Sequence, residues 1–107
     1  MDMVSPRRGE VYLVRLDPTE GSEIQKTRSA LIVSPDELNT HLKTVIAVPL
    51  TSSLKSNPFR IAVSFAGKEG SIAIHQIRTL DKQRLVKKVG EIDPAETLRV
   101  LREMFAE

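Results

Sequence analysis

DPTEGSEIQKTRSALIVS, residues 17–34, lies between two apolar runs. Val11 to Leu16 before it is apolar at nearly every position, and Ala30 to Val33 near its end is apolar again. Asp17-Pro18 and Gly21-Ser22 are turn chemistry, because proline fixes φ and glycine permits positive φ. Glu23, Lys26 and Arg28 then follow close together. The pattern predicts a polar loop of about ten residues joining two strands as an antiparallel pair, longer than a tight hairpin needs. A loop of that length with an acid and an arginine is a common place for a site. The other reading is a solvated hairpin loop whose charges only keep it soluble, and this stretch alone does not separate the two.

Outward from it, residues 1–8 read as a loose arm, and Gly9 to Asp17 as a strand covered on both faces or closing a small barrel. Arg28 to Ser34 is a second strand. Ser34 is placed to cap a short helical turn, with Pro35 at its first position and Glu37 at its third. Thr44 to Leu50 is a third strand, and its continuous Val45-Ile46-Ala47-Val48 makes it central. A polar loop, Thr51 to Pro58, leads to Phe59–Phe65, where Ile61, Val63 and Phe65 share one face and Arg60, Ala62 and Ser64 the other. Ala66 to Gly70 is a hairpin turn, Ser71 to Thr79 a fifth strand, Asp81 to Leu85 a helical turn, and Val86 to Ile92 a last strand broken by Gly90. Asp93, Pro94 and Glu96 start a helix. Leu98, Leu101 and Phe105, widened by Val100 and Met104, give that helix an apolar stripe for core packing. Short strands in meander order with one terminal helix predict a mainly β fold, a small and strongly bent sheet or barrel. The 107 residues are expected to form a single domain.

The composition narrows the function classes. Without cysteine there is no disulfide framework and no thiolate metal site. His41 and His75 lack metal-ligand spacing, which argues against a structural zinc. No apolar run approaches the roughly 20 residues that span a bilayer, and MDMVSPRRGE lacks the apolar core of a signal peptide. A cytoplasmic protein with no membrane partner is expected. The net charge is only +2 but unevenly spread. Between Lys43 and Lys88 nine basic residues face two acids, whereas the residues after Val89 are mostly acidic. A basic middle suits a polyanionic partner, nucleic acid or an acidic protein tail. An ordinary solvated surface is the competing account.

Val45 to Ser52, VIAVPLTS, ends a strand in Pro49 and two hydroxyls, Thr51 and Ser52. With GEVYLVRLDPTEGSE before it and IHQIRTLD after it, the order of signals resembles the MazF/PemK family of toxin–antitoxin ribonucleases. The shared pattern is an opening Gly-acid-hydrophobic strand, a DPT-x-GSE loop, an arginine heading the next strand, a strand ending in P-x-T, and a later strand with a glutamine. The likeness runs from Gly9 to about Gly90. It implies an SH3-like barrel of the CcdB/PemK type, made of short bent antiparallel strands with a C-terminal α-helix. It also implies a symmetric homodimer, single-stranded mRNA as substrate and no cofactor. A cognate MazE-like antitoxin would bind through an acidic C-terminal segment, and operator DNA would be reached only through that antitoxin. Two positions depart from the pattern. Ser29 stands where the family usually has proline, and His75 where it often has an acid.

RNA can be cleaved without a metal because its own 2′-hydroxyl is the nucleophile. The enzyme then needs directed donors at the phosphate and groups that exchange protons. Arg28 suits the phosphate, since its planar fork matches two oxygens, and the resemblance implies that it also helps protonate the departing oxygen. Thr51 supplies an orienting hydroxyl. Glu23 is a candidate base or a group that positions Arg28. Their bland readings are a surface ion pair between Glu23 and Arg28 and a strand-end hydroxyl bonded to backbone. His75, Gln76, Arg78, Ser52 and Lys55 are candidate RNA contacts. On one continuous strand, His75 would face away from Gln76 and Arg78. His75 is also a possible proton carrier, as histidine is the residue type that titrates near neutrality. Tyr12, Phe59, Phe65 and Phe105 are the only aromatics, and at least two read as buried, so stacking platforms for bases are scarce.

The leading expectation is a sequence-selective, metal-independent endoribonuclease that arrests growth. A CcdB-like toxin that binds a topoisomerase without hydrolysis would share the fold. A family member weakened in catalysis would carry departures such as Ser29 and His75. Retention of Glu23, Arg28 and Thr51 favours the enzyme, since a pure binder does not need that set.

Overall fold

The computed structural model describes residues 5–15 and 27–106. In chain order these form β1 (Glu10–Arg15), β2 (Thr27–Ile32), α1 (Asp36–His41), β3 (Thr44–Thr51), β4 (Arg60–Phe65), β5 (Lys68–Ala73), β6 (Arg78–Asp81), β7 (Leu85–Glu91) and α2 (Ala95–Met104). Short 3-10 turns at Ile74–Gln76 and Lys82–Arg84 flank β6. The strands make one curled antiparallel sheet in the order β4-β5-β3-β2-β1-β7, with β6 also on β3. This is the mainly β, half-barrel architecture that the strand pattern and the resemblance predicted, with one C-terminal helix.

β3 is central, as its apolar run predicted. One side pairs with β2 through Ala47, Val48 and Pro49. The other side pairs first with β6, from Thr44 to Ala47, and then with β5 at Leu50 and Thr51. The expected fifth strand, Ser71 to Thr79, is therefore two strands. The 3-10 turn at Ile74–Gln76 breaks it, burying Ile74 and letting the chain continue along the same flank of β3. The hairpin after β4 is also tighter than expected, turning at Ala66-Gly67 so that Lys68 already lies in β5.

Alternation sorts the side chains into two clusters. Val11, Leu31, Val33, Val48, Ile72 and Ile74 face α2, which adds Val100 and Leu101. Val14, Ala30, Ile32, Val45, Ala47 and Leu80 form a second cluster with Tyr12 and Leu85. The far edges of the sheet meet through Phe65 of β4, whose ring lies over Gly90 of β7. A Cβ there would fall 2.6 Å from the ring. Gly90 thus does not break the last strand; it makes room for the ring that curls the sheet.

Four local expectations need correction. Ser34 does not cap α1: helix entry is at Pro35 with no side-chain cap, and Asp36 instead accepts the Arg8 N–H at 2.7 Å. The Ser34 hydroxyl is buried, accepting from the Ile46 N–H at 2.9 Å and bonding Asn39 Oδ1. The described part of the arm is not loose. Asn39 Nδ2 holds the Pro6 carbonyl at 3.0 Å, and Arg8 Nε donates to the Val33 carbonyl at 2.8 Å. Gly9 then bridges two strands, donating to Ile32 O and accepting from Ile92 N, at a φ of +96° that favours glycine. Lastly, Phe105 is 74% exposed and buried Thr97 takes a place in the core, so the stripe of α2 turns toward Thr97, Val100 and Leu101. Of the four aromatics, at least two of which were expected to be buried, Tyr12 and Phe65 are half-buried against the two clusters, and Phe59 and Phe105 are exposed. Asp93 does cap α2, accepting the Ala95 N–H at 3.0 Å.

Glu10 ties β1 to β7 and to the arm. Its carboxylate accepts the Arg7 N–H at 2.8 Å and pairs with Lys88 at 3.1 Å. Burial pushes the carboxyl up, but the Arg7 N–H, the Lys88 ammonium and the Tyr12 hydroxyl outweigh it and hold it below its ordinary value. A carboxyl lowered by folding stabilises above its unfolded pKa, and that contribution is lost as pH falls through the folded one. Glu10→Gln is therefore expected to lower stability at neutral and alkaline pH, leave it nearly unchanged in acid, and so flatten the acid limb of a stability-against-pH curve. Asn39→Ala removes a donor to the Pro6 carbonyl and a donor to the Ser34 carbonyl. Urea unfolding should show a loss of about 2–4 kcal/mol, the cost of two unpaired buried acceptors.

Candidate active site

The site grows out of the β2–β3 register. Ala30 lies opposite Pro49 and Ile32 opposite Ala47. Carrying that register two residues on sets Arg28 opposite Thr51, with side chains on the sheet face that also carries Ala30, Pro49 and Ala47. On the other flank of β3, Arg78 lies opposite Ala47 on this same face. Arg28 and Arg78 line one narrow cleft of about 20 Å³ with Ser29 and Pro49. β2 and β6 thus bring two guanidinium groups to the cleft at Pro49, and β3 carries the Thr51 hydroxyl two residues further on. Arg28 is exposed, and so is Arg78.

Thr51 sits where β3 passes from β2 to β5. Its Oγ1 accepts the Ser53 N–H at 3.2 Å, the turn-type bond that the bland reading foresaw. That bond uses a lone pair and leaves the hydroxyl hydrogen able to donate elsewhere. The loop after it is tied down in steps. Ser71 Oγ donates to the Ser53 carbonyl at 2.9 Å, and the Lys55 N–H donates to Ser53 Oγ at 3.3 Å. Ser53 and Ser71 fix this loop and were not among the sequence-based candidates; the run of hydroxyls after Pro49 was the signal for Ser53, and Ser71 had none.

Gly70 was also missed, except as part of a turn. Its backbone passes so close to β3 that a Cβ would stand 2.3 Å from the Thr51 carbonyl oxygen. Only glycine permits that approach. A larger cavity of about 330 Å³ opens beside it, lined by Leu50, Val63, Phe65 and Val89 with Ser29, Thr51 and Ser52. Ser29 lines both this cavity and the narrow cleft.

Among the candidate RNA contacts, Ser52 borders the larger cavity and Lys55 is exposed in the loop beyond it. His75 and Gln76 are exposed on the 3-10 turn between β5 and β6 and line neither cavity. Because a turn replaces the continuous strand, alternation does not set His75 opposite Gln76 and Arg78. Glu23 lies outside the described residues. Among the described residues no cluster of three or more His, Cys, Asp or Glu could hold a metal ion.

A family model described as the PemK-like, MazF-like toxin of type II toxin-antitoxin systems matches residues 7–105. The chain belongs to that family. It is 33% identical over 100 residues to an endoribonuclease MazF of Staphylococcus epidermidis, covering 88% of this chain and 83% of the relative. It is 35% identical over 100 residues to the endoribonuclease MazF9 of Mycobacterium tuberculosis, covering 84% and 85%. Among solved structures, a MazE–MazF crystal structure from Deinococcus radiodurans superposes with a TM-score of 0.78 at 30% identity, covering 96% of this chain and 93% of that one. A mycobacterial endoribonuclease in complex with its cognate antitoxin superposes at 0.72 with 31% identity, covering 92% and 88%.

Gly70→Ala should displace the end of β3. The amide and methyl NMR signals of Thr51 are expected to shift while those of α2 stay in place. Unfolding should be easier by about 1–3 kcal/mol, the usual cost of forcing a group into a packed site.

Proposed function

We propose that this MazF-like chain is an endoribonuclease that cuts single-stranded mRNA by attack of the substrate's own 2′-hydroxyl, with no metal in the step. The observation that supports this reading is the shared cleft of Arg28 and Arg78 at Pro49, two residues before Thr51 on β3. The names of the relatives support the activity. Arg28 donates two parallel N–H bonds to phosphate oxygens, and Thr51 donates its remaining hydrogen to the same group. The 2′-oxygen bonds to phosphorus and the bond to the 5′-oxygen breaks, leaving a 2′,3′-cyclic phosphate and a 5′-hydroxyl. Glu23 accepts the 2′ proton or positions Arg28, and a proton delivered from the Arg28 side neutralises the departing oxygen. Arg78, Ser52, Lys55, Gln76 and His75 contact RNA on either side.

The reading extends to the assembly. Residues 1–107 form a single toxin domain that pairs as a symmetric homodimer. The dimer works in the cytoplasm and is silenced by an antitoxin whose acidic segment pairs with the basic middle of the chain, Lys43 to Lys88. Among the described residues no helix is long and apolar enough to cross a membrane.

Three measurements test this. Incubated with mixed-sequence RNA in EDTA, the protein should cut and leave cyclic phosphate ends; activity that vanishes on chelation and returns with Mg²⁺ would overturn it. Arg28→Lys should fail nearly as badly as Arg28→Ala, by about a hundred- to a thousand-fold, because lysine keeps the charge and loses the fork. Thr51→Val should slow cleavage while the protein stays folded, with an unfolding midpoint lowered slightly by loss of the Ser53 N–H bond. A folded, dimeric Arg28→Ala protein that cuts at the wild-type rate would sink the assignment.

A further inference from the structure

Among the described residues, the buried side-chain nitrogens and oxygens that lack a hydrogen-bond partner belong to Arg60 alone, as its Nε and Nη1. N–H groups of a permanent cation are thus held out of water with nothing to accept them. Buried polar groups are nearly always bonded, so an unsatisfied one calls for a reason. The unmade bonds cost free energy until an acceptor arrives. Arg60 as a whole is only half-buried, so part of its side chain still meets solvent.

The register supplies the reason. Arg60 and Ala62 share one face of β4. Ala62 lies opposite Ser71 of β5, and Ser71 opposite Thr51 of β3. Opposite residues of an antiparallel pair project from the same face. Arg60 therefore stands on the face that carries Thr51 and Pro49, where Pro49 borders the cleft of Arg28 and Arg78. Two strand spacings, about 10 Å, separate the backbones of β4 and β3. The neighbours of Arg60 on this face are Ala62, Ala73 and Ser71, and none is an acid. The Ser71 hydroxyl is already donated to the Ser53 carbonyl at 2.9 Å. At the other end of that loop the Arg60 N–H donates to the Asn57 carbonyl at 3.1 Å. Thr51 and Arg60 thus stand at the two ends of one loop, pinned at both.

We propose that Arg60 binds the RNA phosphate next to the one held at Arg28 and Thr51. The proposal rests on RNA being the substrate and adds a residue that binds it. Phosphate oxygens bring the negative charge and the lone pairs that the guanidinium lacks, and its planar fork fits two of them. Every nucleotide of the strand carries such a group. A chain that crosses the face from the cleft past Thr51 brings the neighbouring phosphate toward β4. A carboxylate on a protein tail offers similar oxygens, but nothing at Thr51 fixes where such a tail would lie. Phosphate contacts set the register of a strand and carry no sequence information. Arg60 therefore tightens the grip on RNA of every sequence alike.

The test is binding of a 2′-O-methyl RNA oligonucleotide, which lacks the attacking hydroxyl and stays uncut, followed by fluorescence anisotropy at a series of KCl concentrations. Arg60→Met keeps an apolar stem and removes the charge. It should weaken binding about tenfold, the scale of one charge-assisted hydrogen bond. The plot of log affinity against log salt should become shallower by about 0.7, the share of one phosphate on a single strand. Arg60→Lys should restore that slope, because it restores the charge, while regaining only part of the affinity. With cleavable RNA, Arg60→Met should raise KM, leave kcat nearly unchanged and leave the cut sites where they were. Its thermal midpoint should be unchanged or higher, since an unpaired buried cation gives way to an apolar group. Equal slopes and affinities for wild type and Arg60→Met would overturn the proposal. So would a slope that Arg60→Lys fails to restore, or a loss of affinity for a poly-glutamate peptide with none for the oligonucleotide. Wild-type protein that binds the oligonucleotide yet cuts no RNA would overturn the nuclease reading instead, and the salt slopes would still decide Arg60.

Discussion

β3 is held from two sides by three strands, and the rest of the molecule follows from how it divides its length. β2 takes one side, while β6 and β5 share the other in succession. A strand with two successive partners on one flank must bend where they change over, because each partner imposes its own twist. The changeover falls just before Pro49, Leu50 and Thr51, the stretch around which the arginines gather. The bend also curls the sheet far enough for Phe65 to reach Gly90. The geometry of the site is thus a by-product of barrel closure, and no separate element builds it.

Much of this was legible in the chain. Val45-Ile46-Ala47-Val48 read as central because only a strand covered on both faces affords an unbroken apolar run. The alternation of Phe59–Phe65 gave its inward face correctly. Arg28 and Thr51 were picked out through the resemblance, and the register sets them across from each other. Hydrogen-bond patterns that depend on distant residues were not legible. Ser34 fitted a helix cap by spacing, but Ile46, twelve residues on, claimed its hydroxyl. The break at Ile74–Gln76 was hidden because Ile74 is apolar in either a strand or a turn, and only the competition of β5 and β6 for one flank of β3 demands a turn there. Phe105 fitted the spacing of the helical stripe, yet the helix rolls so that the smaller Thr97 is buried.

Sequence spacing also could not reveal the parts of the site that act by being small or by bonding backbone. Ser53 and Ser71 matter for a carbonyl and two hydroxyls that pin the loop. A glycine at position 70 looks like any turn residue until the strand that it passes is known. Loop fixation of this kind is preorganisation: donors already in place need no reordering when charge develops on the substrate.

The close passage of Gly70 against the Thr51 carbonyl has a consequence for how the gene can drift. Every single-base change of a glycine codon that alters the residue and lets translation continue installs a side chain. None of the neighbouring codons offers a smaller group, so position 70 has no intermediate through which to wander. The hairpin tip just before it is under no such restraint, since Lys68 and Glu69 face solvent. Descendants of this chain can thus exchange Lys68 and Glu69 freely while the crossing of Gly70 against the Thr51 carbonyl stays fixed.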